Sequence, residues 1–237
     1  MMDPAGQSQH GGSRSGSGSI GEPRWPMAIA VLATGALHAM LYPELRSLPA
    51  ALLGDSAWAY LVVVAVLLGV LIIGDPGRID RGTRWLRVLT VAMITVISMD
   101  TAVVSIRLVS AILHSRSFTE DANILLVSGS AIWLTNVIAF ALWYWVMDRG
   151  GPVGRARGPM VKPAFVFPEM VSPQLVEDGW YPRFVDYLHL SFSTATSLSP
   201  SDVSGIKAWA KLAMMSEESI SLVLAVLVVA RAVNILK

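Results

Sequence analysis

Long apolar runs with almost no charge inside them recur along this chain of 237 residues, and they leave it few ways to fold. Peptide groups in lipid must satisfy one another, so such runs become helices, roughly 20 residues each for a hydrocarbon core of about 30 Å. Five runs qualify: Trp25 to Tyr42, Ala57 to Gly74, Trp85 to Leu113, Ala122 to Met147 and Ile206 to Leu236. Hydrophobic residues make up 54% of the chain and charged ones 15%, more apolar surface than a soluble domain of this length can hide. The expectation is an all-α membrane protein with five transmembrane helices and the lipid bilayer as its first partner. Residues 1–24 are rich in Gly and Ser, lack the basic-then-apolar order of a signal peptide, and read as a disordered tail. The lack of cysteine excludes disulfides, thiolate metal sites and thiol nucleophiles. A net charge of +1 argues against a nucleic-acid partner.

Between the fourth and fifth runs the chain changes character. Pro152, Pro159, Pro163, Pro168, Pro173 and Pro182 forbid a long helix across 150–182. Segment 184–196 is proline-free, too short to cross, and the right length for a re-entrant half-helix, which survives at membrane depth only when protein or water surrounds it. It runs into Thr194-Ala195-Thr196-Ser197-Leu198-Ser199-Pro200-Ser201-Asp202. The chain therefore divides into a tail (1–24), a three-helix membrane region (25–120) and a last module (121–237). That module comprises an outer helix 122–147, a loop 150–182, the half-helix 184–196, a turn 197–205 and an inner helix 206–236.

This order resembles the pore module of the potassium-channel superfamily, whose signature is written TATTVGYGD. Thr194, Ala195, Thr196 and Asp202 keep its frame without a gap. Leu188 and Ser191 stand where its pore helix carries the same letters, and Trp209 with Lys211-Leu212 where its inner helix begins with Trp and a basic–Leu pair. The resemblance covers 184–236, or 122–236 with the outer helix. It implies a homo-oligomer, a tetramer, with Thr196, Ser197, Leu198, Ser199, Pro200, Ser201 and Asp202 lining a filter-like constriction.

The departures lie at the centre of the signature. A potassium filter replaces the ion's hydration shell with backbone carbonyls, and glycines allow that backbone. Ser199 and Ser201 occupy both glycine places, and Pro200 the tyrosine place. Proline fixes its own φ and pushes Ser199 toward extended geometry. Potassium selectivity is therefore not carried over. These residues can instead build a ring of hydroxyls that passes partly hydrated monovalent ions, cations or anions. The alternative is a plain interhelical turn, with Asp202 in a local capping role. Ser221 takes the place of a hinge glycine, so no such hinge is expected.

Acids inside apolar runs are costly and need partners. Glu217 and Glu218 sit in the last run, either against the half-helix or a permeation path, or solvated near an interface. Asp100 and Arg107 are seven residues apart on one face and are expected to form an intramembrane ion pair, with His38 as the distant alternative. Within the third run and its start, only Arg84 and Arg87 show the three-residue spacing that a voltage-sensing helix repeats over several turns, which argues against one. Asn136 and Ser128-Gly129-Ser130 suit close helix packing, and Trp143-Tyr144-Trp145 suits a headgroup interface. His10, His38, His114 and His189 are scattered, with packing the expected role of His189. No metal spacing, phosphate loop or nucleophile elbow is present, so neither an enzyme nor a cofactor is expected.

Arg78, Arg81, Arg84 and Arg87 share one side of a five-span topology with Arg149, Arg155, Arg157 and Lys162. The positive-inside rule makes that side cytoplasmic and puts the half-helix loop there too. Potassium channels open their filter outward, which leaves three arrangements. The module is inverted, as in glutamate-gated relatives, or the charge rule does not hold, or 184–204 never re-enters. The Ala/Gly/Arg-rich style points to the cell membrane of a bacterium. The expected function is a weakly selective, channel-like pore; the alternative is a non-conducting or transporter-like membrane protein that keeps a pore-loop-like fold.

Overall fold

Helix α1 (Trp25–Met40) starts with proline in its first turn, where no N–H partner is needed, and ends as Leu41 turns extended ahead of Tyr42-Pro43. The computed structural model describes residues 22–46, 58–74, 78–79, 83–156, 161–196 and 202–236. After the short α2 (Pro43–Arg46) come α3 (Ala59–Gly74), α4 (Arg84–Leu113) and α5 (Ala122–Met147). The Asp121 carboxylate caps α5, accepting from the Asn123 and Ile124 N–H groups at 2.9 and 3.1 Å. At its other end, Arg149, Gly150 and Gly151 take φ values of 50°, 82° and 85°, and this left-handed run turns the chain sharply. Beyond it, helical pieces are short, α6 (Pro152–Ala156) and α7 (Pro168–Val171), as the prolines require. Helices α8 (Phe184–Thr196) and α9 (Ala208–Ile235) follow.

Helices α4, α5 and α9 are long and apolar enough to cross a membrane. Helices α1 and α3 are apolar but have 16 residues each, about 24 Å at 1.5 Å per residue. The architecture is that of an all-α, membrane-embedded protein. Two minimal antiparallel ribbons fasten its connections: β1 (Glu22–Pro23) on β2 (Arg78–Ile79), and β3 (Phe165–Val166) on β4 (Ser204–Gly205).

Helix α5 is the hub and packs against α1, α4, α8 and α9. Helices α8 and α9 both run antiparallel to it. Along α9, Glu217 meets Tyr144, Ser221 meets Asn136, and Val228 meets Gly129. Along α8, the Phe184 ring packs edge-on to Trp145 at 6.0 Å, and the Phe192 ring edge-on to Trp133 at 5.7 Å. Strand β4 returns the chain to β3, and the Ile206 N–H donates to the Ala164 carbonyl at 2.7 Å. The beginnings of α8 and α9 thus both lie at the C-terminal end of α5. One core cluster surrounds Trp145, Phe165 and Tyr187 at this end; another surrounds Leu108, Leu125 and Leu224.

Candidate functional site

Three faces of the bundle bring polar side chains into its interior. The first is where α5, α8 and α9 meet. Glu217 is fully buried there. Its Oε2 accepts from the Tyr144 hydroxyl at 2.6 Å, and its Oε1 accepts from the Ser191 hydroxyl. Ser191 also lies 2.7 Å from the Val137 carbonyl. One turn further on, Asn136 Nδ2 donates to Ser221 Oγ at 3.2 Å. A carboxylate of the last helix therefore holds the 13-residue α8 in place through that helix's hydroxyl. Glu218, its neighbour, points outward and is exposed with Ser216 and Ser219.

The second face is the end where α8 begins. Glu22, buried like Glu217, accepts from Trp145 Nε1 at 3.0 Å and from the Phe184 N–H, with Arg155 Nη2 at 3.5 Å. Burial raises its carboxyl above the ordinary 4.5, against the opposing pull of Arg155, Trp145 and the Phe184 N–H. Asp148, also buried, accepts from the Ala164 N–H at 2.8 Å and from the Tyr187 hydroxyl at 2.6 Å, with Arg149 Nε at 3.2 Å. Arg155 Nη1 donates to the Trp145 and Asp148 carbonyls at 2.5 and 3.1 Å, and its guanidinium lies 4.8 Å from the Tyr187 ring centre. Two acids and two arginines thus clamp the start of α8 to the end of α5.

The third face lies between α1 and α4. Asp100 Oδ2 is 2.9 Å from His38 Nδ1, both buried, and His38 stacks on Tyr60 at 4.3 Å between centroids. This corrects the expected Asp100–Arg107 pair, since Arg107 Nη1 donates to the Leu45 carbonyl at 3.2 Å instead. Seven residues along a helix is a rise of about 10.5 Å, too far for a direct carboxylate–guanidinium contact. The crossing of α1 over α4 supplies the partner that spacing along one helix could not.

Of the filter-like residues, Thr196 closes α8 with its hydroxyl donating to the Ser193 carbonyl at 3.0 Å, and Asp202 is exposed. Ser197, Leu198, Ser199, Pro200 and Ser201 lie outside the described residues. Tyr144 and Trp145 face the protein interior: Trp145 is 1% exposed, and each ring's polar atom is taken by a buried acid. Trp143 donates to Ser98 Oγ at 2.9 Å. His189 is exposed rather than packed. Glu22 falls in the tail by composition, and Asp148, Arg155 and Tyr187 carry no motif. Their only signal in sequence is an acid beside a helix end and an arginine seven residues past another acid, which is too common to single out. Comparison with family models, curated proteins and solved structures returns no match.

Proposed function

We propose that α5, α8 and α9 form a pore-loop module, and that four copies place 196–202 around a hydroxyl-rich constriction that conducts monovalent ions with weak selectivity. The observation that carries this reading is the placement of α8. It starts beside the end of α5, runs along α5 to the level of Trp133, and is followed by a chain that returns to the same end at β4. Such a path suits a re-entrant half-helix surrounded by protein. Glu217 adds a buried negative charge or hydrogen-bond acceptor behind the half-helix, where it sets the field at Thr194–Thr196. On the opposite face of α9, exposed Glu218 and Ser219 sit among exposed Met215, Leu222 and Val226. An acid at that depth requires water or a partner chain, and a tetrameric assembly supplies both.

Ion flux from liposomes containing the purified chain tests the reading. A tetramer with leak that changes in Ser199→Gly and in Asp202→Asn supports it. A monomer with no flux for any monovalent ion sinks it. The second reading, a non-conducting membrane protein with the same fold, is favoured by the way Tyr144 and Ser191 of the same chain hold both Glu217 oxygens. Its mark is a stable fold and no flux.

A further inference from the structure

The His38 side chain is 2% exposed, yet only one of its two ring nitrogens is engaged. Nδ1 lies 2.9 Å from Asp100 Oδ2, a contact that holds one proton. With the carboxylate ionised, Nδ1 carries that proton and Nε2 keeps a bare lone pair. Among the described residues Nε2 has no hydrogen-bond partner. His38 and Asp100 line a cavity of about 10 Å³, the room of a single water, together with Thr101 of α4 and Thr135 of α5. Both threonines turn their protons to their own helices: Thr101 donates to the Ile97 carbonyl at 2.7 Å and Thr135 to the Ala131 carbonyl at 2.8 Å. Their oxygens therefore offer the cavity lone pairs only.

In this form the His38–Asp100 pair carries one net negative charge, and the charged groups of the neighbouring helices are engaged elsewhere. From α3, Tyr60 stacks on the imidazole and donates its hydroxyl proton to Thr34 at 3.2 Å. From α4, Arg107 donates to the Leu45 carbonyl. From α2, Arg46 donates to the Ala39 carbonyl at 3.2 Å, and Glu44 lines a separate cavity with Arg107. Helix α5 contributes Ile132 and Thr135, neither of which ionises.

We propose that this cavity is a proton-binding site, occupied by one water that links His38 Nε2 to the Thr101 and Thr135 hydroxyls. A lining made of acceptors around a buried negative charge calls for a positive ligand, either a proton or an alkali ion. The free nitrogen decides for the proton, because imidazole is the side chain that gains and loses one near neutral pH. Hard cations instead require a shell of several oxygens, and two hydroxyls and a carboxylate around one water's volume do not supply it. On uptake, a proton arriving from solvent passes through the water to Nε2. One N–H bond forms, the water is neutral again, and the pair becomes imidazolium and carboxylate with no net charge. Nε2–H then donates to the water, which donates in turn to the threonine oxygens, so α1 is tied to α5 as well as to α4. The site rests on the packing of α1, α4 and α5 and holds whether or not the chain conducts.

The test is nitrogen-15 NMR of the histidine rings in the full chain in micelles, between about pH 9 and about pH 5. The His38 signals are those that disappear in His38→Gln. At the alkaline end the Nδ1–H tautomer with a bare Nε2 is expected; at the acid end both nitrogens carry protons and the Nε2 proton shows a cross-peak to water. Asp100→Asn removes the charge that retains the proton, so its His38 should hold a single ring proton at a pH where the wild type holds both. Thr135→Val keeps the branched shape and removes one oxygen. It should lose the water cross-peak while Nδ1–H stays in place, and it carries the test should Asp100→Asn fail to fold. A His38 that keeps one ring proton across the whole range overturns the proposal. So does an Nε2 signal that follows sodium concentration at fixed pH, which makes an alkali ion the ligand. A doubly protonated His38 without a water cross-peak also overturns it, because the cavity is then dry.

Discussion

Buried carboxylates in an apolar chain act through the donors they can collect, and Glu217 and Glu22 collect theirs differently. Glu217 has two hydroxyl donors and, among the described residues, no cation beside it. Removing one of them in Tyr144→Phe leaves the acid short of a partner in a dry site, a loss of about 1.5–3 kcal/mol. That loss appears as a lower denaturation midpoint in mixed micelles, and an unchanged midpoint would mean that the Tyr144–Glu217 bond does not help to hold α9. Glu22 has Arg155 nearby, yet burial outweighs the cation and keeps its carboxyl above 4.5. The native state therefore holds that proton more tightly than the unfolded chain. Stability falls as pH rises from 4.5 through the raised native value, and levels off above it. In Glu22→Gln this part of the Tm-against-pH curve flattens; a variant whose curve keeps the wild-type slope assigns the dependence to another group.

At the scale of the helix, close approach takes over from hydrogen bonding. Gly129 faces Val228 so closely that an added Cβ would lie 2.8 Å from Val228 Cγ2. Gly129→Ala therefore forces α5 and α9 apart, at about 1–3 kcal/mol. Pairing it with Val228→Ala should recover most of that loss, and a double-mutant cycle with no coupling would mean that the helices do not meet there. This contact is legible in the sequence, because a small residue between two serines in an apolar run has few uses other than packing. The helix positions are equally legible from apolar length and proline placement. The partners are not. Asp100 visibly needs a partner, but only the crossing of α1 delivers His38 to it. Tyr144 and Trp145 look like an interfacial belt because their neighbours in sequence are aromatic. Their actual neighbours, Glu217 and Glu22, lie 73 and 123 residues away along the chain.

For the whole molecule, the decisive quantity is the side from which each end of the last module is reached. Asp202 and Lys162 are both exposed and flank the β3–β4 ribbon, so they lie at one end of the bundle. Arg116 is exposed beyond α4, beside the Thr119 N–H that donates to its carbonyl at 2.9 Å. Arg231 of α9 reaches the Thr119 carbonyl at 3.2 Å, which places this group at the opposite end. A natural chain without cysteine lets single thiols report each position against no background. Asp202→Cys and Lys162→Cys should react with a membrane-impermeant maleimide from the same side of oriented vesicles, and Arg116→Cys only from the other. Labelling of Asp202→Cys from the Arg116 side would mean that the segment after α8 crosses rather than returns, and the pore-loop reading would fall with it. If all three label from one side, α4 and α5 do not span and the membrane topology itself is wrong. The expected pattern also fixes which leaflet the arginine-rich end meets, because the same vesicles report whether that side is the cytoplasmic one.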